Sequence, residues 1–184
     1  MGQHLFIEFV NSELFDGNGN REDRLLDDNW RQAFLRRWDM ALVDSLDDSD
    51  LRQLMELRTS LRSITERLDA GRAPARRDLE CVNAALAGSP VTYRLSGRGV
   101  QFDLAAVPLG GNGARAIAAT VALSAARFLS EGATERLKTC DNDGCRWVFF
   151  DETKNRSRRW CGPCGNVDKV RRFRERQRAA RSKA

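Results

Sequence analysis

Cys140-Asp141-Asn142-Asp143-Gly144-Cys145 and Cys161-Gly162-Pro163-Cys164 hold four of the five cysteines in this 184-residue chain. Each stretch can place two thiolates around one ion, because its Gly or Pro lets the backbone fold back between them. The segment between them is long enough for a short hairpin that brings the pairs together. Four thiolates in a tetrahedron are the preferred structural site for Zn²⁺, at Zn–S of about 2.3 Å. The competing readings are two disulfides or four unrelated buried thiols, and the paired spacing favours the metal over both. Cys140, Cys145, Cys161 and Cys164 are therefore the candidate ligands of one structural Zn²⁺. Four protein thiolates leave no open position for water, and no nearby His or Glu is placed as a general base, so a catalytic zinc is not expected.

Charge is distributed unevenly around this cluster. From Cys140 onward there are 13 Lys+Arg against 6 Asp+Glu, whereas the preceding 139 residues carry 18 against 20. A near-neutral body thus carries a basic C-terminal end, the pattern of a chain with a polyanionic partner. From Lys154 the ratio sharpens to 12 against 2, dense enough to make a phosphate backbone the first candidate. Met1 to Val10 is interrupted by Glu8 and is not a signal peptide. Ala116 to Leu129 is too short and interrupted to span a bilayer. No membrane association is expected, and without export the thiols stay reduced in the cytoplasm, which again favours metal over disulfides.

The residues before the cluster read as mainly α-helical with one β-hairpin. Leu5 to Asn11 fits strand or helix; Phe6, Phe9, Val10 and Leu14 share a helical face, and the helix is preferred. Asp16-Gly17-Asn18-Gly19-Asn20 is a loop on turn chemistry. A helix is predicted over Asp28 to Ala41, with Trp30, Phe34 and Trp38 as a core stripe. Asp47-Asp48-Ser49-Asp50 starts another, reaching Asp69 with Leu51, Leu54, Leu57, Leu61, Ile64 and Leu68 inward. Arg52, Arg58, Arg62 and Arg67 are assigned to its solvated faces. Pro74 opens a further helix through Leu79, Val82 and Leu86 to Gly88. Cys81 in it reads as a small buried hydrophobe, since His4 is the only histidine and lies far off in sequence. Val91 to Leu95 and Val100 to Leu104, separated by Ser-Gly-Arg-Gly, form a hairpin. The Gly-rich Pro108-to-Gly113 loop lacks the residues of a phosphate loop. An Ala-rich helix follows from Ala114 to Leu129, small enough on one face for a neighbour to pack closely.

Ala133 to Thr139 is the junction, read as a short strand entering the metal site. After the first cysteine pair, Trp147 to Phe150 alternates as a strand does. From Gly165 a helix runs to about Ala180, with Val167, Val170 and Phe173 as its inner stripe. Knuckle, hairpin, second knuckle and helix together resemble a treble-clef finger. Trp147 and Trp160 are expected to fill its small core.

At these residues the chain resembles the CGNR zinc-finger proteins, bacterial transcriptional regulators that carry this finger behind a helical ABATE domain. The matching run is Cys140-x4-Cys145, Phe149 and Asp151, Asn155 to Cys161, Cys164-Gly165-Asn166, and Lys169-Val170. The body resembles the ABATE domain through Phe9-Val10-Asn11-Ser12 and its helical order. Two positions depart from the pattern: the family has more residues between the last two cysteines than Gly162-Pro163, and an Arg where this chain has Val167. The resemblance implies a mainly helical domain over residues 1–135, a zinc finger over 136–184, zinc binding and a DNA-binding role.

The expectation is a zinc-dependent regulator and not an enzyme. Its body has one His, no nucleophile motif and no paired carboxylates at a telling spacing. Arg156, Arg158, Arg159, Lys169, Arg171, Arg172, Arg174 and Arg176 would dock on DNA phosphates. RNA is a second polyanion of the same chemistry. The body would sense a small-molecule effector or set assembly as a homodimer. The alternative is a zinc-stabilised protein-interaction module without nucleic acid.

Overall fold

A computed structural model describes residues 4–15, 20–40, 45–88, 90–108, 113–132 and 134–181. Its element order begins with helix α1 (Leu5–Val10), strands β1 (Glu13–Phe15) and β2 (Arg21–Asp23), and α2 (Asp28–Arg37). The long helix α3 (Asp48–Asp69), then α4 (Arg76–Ala87), lead into a hairpin of β3 (Val91–Arg98) and β4 (Gln101–Pro108). Helix α5 (Ala114–Ser130) precedes the C-terminal elements β5 (Leu137–Thr139), β6 (Val148–Phe150) and α6 (Gly162–Arg181). The fold is mainly helical with three small antiparallel strand pairs.

Helix α3 is the axis of the body and packs against α1, α4, α5 and β5. Its start is well specified: Asp47 accepts from Ser49 N and Asp50 N while Asp50 reaches back to Asp47 N, satisfying three N–H groups at the helix start. Leu54, Leu57, Leu61 and Ile64 are buried on it, as the periodicity requires. They meet Ile117, Val121 and Phe128 of α5, where buried Ala118, Ala122 and Ala125 permit close approach. Leu5, Phe6, Phe9 and Val10 of α1 complete the core. The helical choice for this segment holds, but it ends at Val10, and Leu14 sits in β1. Strands β1 and β2 pair from Glu13↔Asp23 to Phe15↔Arg21; residues 16–19 of the expected loop lie outside the described residues.

Helix α2 stops at Arg37, short of the expected Ala41, which is itself outside the described residues. Trp38 is its C-cap, and its indole N–H donates to Glu8 at 2.8 Å. Phe34 is buried and Trp30 stacks on it, with centroids 5.1 Å apart. Helix α4 begins at Arg76, two residues after Pro74. Val82 is buried there and Cys81 packs against the core, but Leu79 is exposed and Asp78 takes a buried place, accepting from Ser63 at 2.6 Å. The β3–β4 hairpin is longer than read: its turn is Gly99-Val100, with Gly99 at φ 63°, so Ser96 and Gly97 are strand residues. Helix α6 starts at Gly162, placing Cys164 inside it.

Two assignments are overturned. Arg58 and Arg62 are not on a solvated face of α3; they are 1% and 3% exposed. At about 100° per residue they lie within roughly 80° of Leu54, and the arc of α3 that neighbours cover is wide enough to include them. Val167, Val170 and Phe173 are not an inner stripe; they are 49–71% exposed. The finger holds only the first turns of α6, and no core cluster of the described residues lies behind the stripe.

Candidate metal centre and its seat on the body

Strands β5 and β6 pair antiparallel from Leu137↔Phe150 to Thr139↔Val148. The first cysteine loop is the turn of this hairpin, so the hairpin flanks that knuckle instead of separating the two knuckles. Cys140 N donates to Trp147 O and Cys145 N to Asn142 O, closing the loop. Asn142 also accepts from Gly144 N through its side-chain oxygen. Arg146, just after Cys145, takes φ 52° to let the chain leave the turn. The second pair arrives through an ordered loop with no strand in it. Asp151, fully buried, holds that loop: Oδ1 accepts from Thr153 N and Oγ1, and Oδ2 from Arg158 N. Burial opposes its ionisation, but these donors outweigh it and keep the Asp151 carboxyl below its usual range.

The four Sγ atoms of Cys140, Cys145, Cys161 and Cys164 lie within 4.8 Å of one another. Those of Cys145 and Cys161 are 3.7 Å apart, matching the edge of about 3.8 Å in a tetrahedron with 2.3 Å metal–sulfur bonds. That is far beyond a disulfide bond. The amide of Asn142 donates to Cys164 Sγ, and Cys161 N donates to Cys140 Sγ, each at 3.4 Å. The donor set therefore fits one structural zinc ion with all four positions filled by protein. Burial pushes the Cys145 thiol up to about 11 and pushes Cys161 up as well. Burial also opposes ionisation of Cys164, but hydrogen bonds from Asn142 and the neighbouring thiols hold it below its ordinary range. Loading of the ion must displace protons from the first two, which ties metal affinity to pH. Trp147 and Trp160 pack against the cysteines with Phe149, as expected for a small finger core.

The centre is fastened to the body by polar side chains that sequence reading passed over. Asn11, at the end of α1, accepts from Val148 N at 2.9 Å and donates to Val148 O at 2.8 Å. It thus satisfies the free edge of β6 as another strand would. Arg62 donates to Val10 O at 2.6 Å and to Arg146 O at 2.7 Å, joining α1, α3 and the first knuckle. Burial brings its guanidinium pKa down to about 10, which leaves it charged at neutral pH. Glu66 pairs with Arg146 at 2.6 Å, and Asp69 accepts from Thr139 N at 2.9 Å. Beneath them Arg58 makes a two-pronged pair with Asp23, both bonds 2.6 Å. Leu137 and Val148 belong to the body's core cluster, so the finger's hairpin and the body share one hydrophobic interior. Arg58 and Arg62 carry a readable signal, since they recur four apart beside Leu54 and Leu61 on an apolar arc. Asn11 carries one only in its place within Phe9-Val10-Asn11-Ser12.

Among the described side chains, the proposed phosphate contacts fall into three groups. Arg158 is tucked in: its Nε donates to Trp160 O at 2.9 Å and its guanidinium lies 4.7 Å from the Phe149 ring centroid. Arg156, Arg159 and Arg171 are exposed and paired with Glu135, Asp141 and Asp168 respectively. Lys169 and Arg174 are exposed on α6. The side chains of Arg172 and Arg176 lie outside the described residues. Val167, where the resembled family has Arg, is exposed near the start of the helix.

A helical body carrying a four-cysteine finger with a basic helix defines the class: a zinc-finger protein whose metal is structural. Residues 3–132 match the ABATE family, described as "Putative stress-induced transcription regulator", and residues 136–177 match the CGNR zinc finger. The first match covers most of the chain, which belongs to the ABATE family and carries the CGNR finger behind that domain. Comparison with curated proteins gives no significant match. Both families are described as a regulator and a zinc finger, not as enzymes. Among the described residues no helix is long and apolar enough to cross a membrane.

Proposed function

We propose that the chain is a bacterial, cytoplasmic, zinc-dependent regulator that binds DNA through its finger and α6. The observation that carries this reading is α6 itself, a 20-residue helix with seven Lys/Arg and two Asp/Glu that begins on the metal centre. At 1.5 Å per residue it is about 30 Å long, and the major groove admits such a helix. Lys169, Arg171 and Arg174, with Arg172 and Arg176 by sequence position, supply phosphate contacts; Arg156 and Arg159 add to them from the loop before Cys161. Arg158 supports that loop. The zinc centre orients the start of the helix, and the seam at Asn11 and Arg62 holds the finger against the body.

The test is a fluorescence-anisotropy titration of zinc-loaded protein with random duplex DNA at several salt concentrations. Phosphate binding gives a log–log salt slope of several units. Absence of binding at low salt, with zinc confirmed by elemental analysis, ends the DNA reading. The exposed stripe of Val167, Val170 and Phe173 then favours the second reading, a protein-interaction module docking through α6. A single-stranded RNA arm separates RNA from duplex DNA.

The body's part in this proposal is sensing. A cleft of about 510 Å³ between α1, α2 and β6 is lined by Trp30, Trp147, Arg37, Arg158, Glu8 and His4. Two indoles and the guanidiniums of Arg24, Arg37 and Arg158, which outnumber the carboxylates of Glu8 and Glu152, suit a flat aromatic anion, and such an effector would touch body and finger together. Benzoate and indole carboxylates are the probes. A rise in the melting midpoint that Trp30→Ala abolishes supports the site; no shift at millimolar probe rules this ligand class out.

A further inference from the structure

The register of the β3–β4 hairpin sorts its side chains into two unlike faces. Tyr93, Leu95 and Gly97 alternate with Thr92, Arg94, Ser96 and Arg98, and Leu95↔Leu104 and Gly97↔Phe102 are cross-strand partners. One face therefore presents Tyr93, Leu95, Phe102 and Leu104, without a charged residue among them. The other presents Arg94, Arg98, Ser96 and Asp103. In an antiparallel sheet a clean alternation of this kind normally marks a face laid on a core. Here the four large apolar side chains are 53–71% exposed, and no core cluster of the described residues includes them.

A Cβ at Gly97 would lie 2.9 Å from the Phe102 ring, so the glycine lets that ring lie across the opposite strand. A two-stranded hairpin with no covered face is at best marginal in water; both strands here run eight residues, and the contacts of β4 with α5 leave this face open. The element needs a cover.

We propose that this face is a homodimer interface, on which the hairpin of a second copy packs face to face about a twofold axis. Two features select a second copy. The face carries no charge, so it needs no partner of opposite sign and is complementary to itself; a nucleic acid would require cations on it. The four side chains offer on the order of 500 Å² per copy, and two such faces together reach the roughly 1,000 Å² that a specific interface needs. A twofold contact uses the same patch on both copies and closes on itself. The polar face stays in water. This inference goes beyond the DNA-binding reading and does not depend on it.

The experiment is sedimentation velocity of the full zinc-loaded chain over a series of micromolar concentrations. The wild-type protein is expected to move from monomer to dimer. Leu95→Glu sets like charges against each other across the twofold axis and should raise the dissociation constant by about 100-fold or more. Ser96→Lys, one residue along on the polar face and opposite Asp103, should leave it unchanged. Far-UV circular dichroism and zinc content report whether each variant keeps its fold. Hydrogen exchange of the wild-type chain gives an independent reading: amides of residues 91–98 and 101–108 should gain protection as concentration rises. A monomer at every concentration, a dimer that survives Leu95→Glu, or hairpin exchange that ignores concentration overturns the proposal.

Discussion

Helices α3 and α6 are both amphipathic and both rich in arginine, yet they use the residue in opposite ways. On α3 the guanidiniums of Arg58 and Arg62 are enclosed, each bonded to carboxylate or backbone oxygens from other elements. On α6 Arg171 and Arg174 face water, and so does the apolar stripe beside them. The difference lies in what surrounds each helix. Neighbours cover α3 over a wide arc, so any side chain in that arc must be paired or apolar. The metal centre grips α6 only at its start, leaving the rest to meet water or a partner. An enclosed arginine fastens the fold; an exposed one is available to a ligand.

Metal removal probes α6 and should give the largest effect. Structural zinc contributes on the order of 10 kcal/mol to modules of this size. A chelator should lower helical ellipticity and expose Trp147 and Trp160 to solvent, read by fluorescence. Unchanged ellipticity after the metal is gone would mean α6 folds without its anchor, which breaks the contrast.

Arg58→Ala strands the Asp23 carboxylate in the interior and should cost about 3–5 kcal/mol in denaturant unfolding. A loss near zero would place Arg58 with the surface arginines. The same pair has an acid signature. Burial pushes the Asp23 carboxyl up, but hydrogen bonds and charge from Arg58 outweigh it, leaving the pKa below the ordinary 3.8. The unfolded chain then takes the proton first. The pair's stabilisation is complete above that value and disappears as pH falls through the lower, folded one. Comparing Asp23→Asn with the wild type cancels the thiolate titration common to both, and the variant should lose stability less steeply below pH 3.8. Parallel acid curves would mean the pair is not coupled to folding.

The smallest structural effect is expected on α6. Lys169→Glu with Arg174→Glu should change unfolding by no more than about 0.5 kcal/mol each, while reducing the salt slope of any duplex binding by about two. Destabilisation on the scale of Arg58→Ala would show that these cations are fasteners after all.

The metal ligands were legible because chelation is local: two thiols on one tight turn must sit together wherever the chain goes. Helix α3 was legible for a similar reason, since Asp47 and Asp50 close its first turn on themselves. Asn11 was not, because its partner, the backbone of Val148, lies 137 residues away and has no side-chain signature. Asp151 likewise acts on backbone N–H groups, which every sequence offers equally. In the β3–β4 hairpin, Gly97 read as a turn residue because glycine usually punctuates; only its pairing with Phe102 across the hairpin makes it a strand residue.

Sequence alone determined the four zinc ligands, the mainly helical body, the cap of α3 and the basic character of the C-terminal end. Each depends on spacing or composition within a few residues. Tertiary structure alone decided which arginines are enclosed, that the finger shares a core with the body, and that α6 and the hairpin each leave an apolar face uncovered. Burial depends on what the rest of the chain lays against a surface, and a periodic pattern records the surface but not its neighbour.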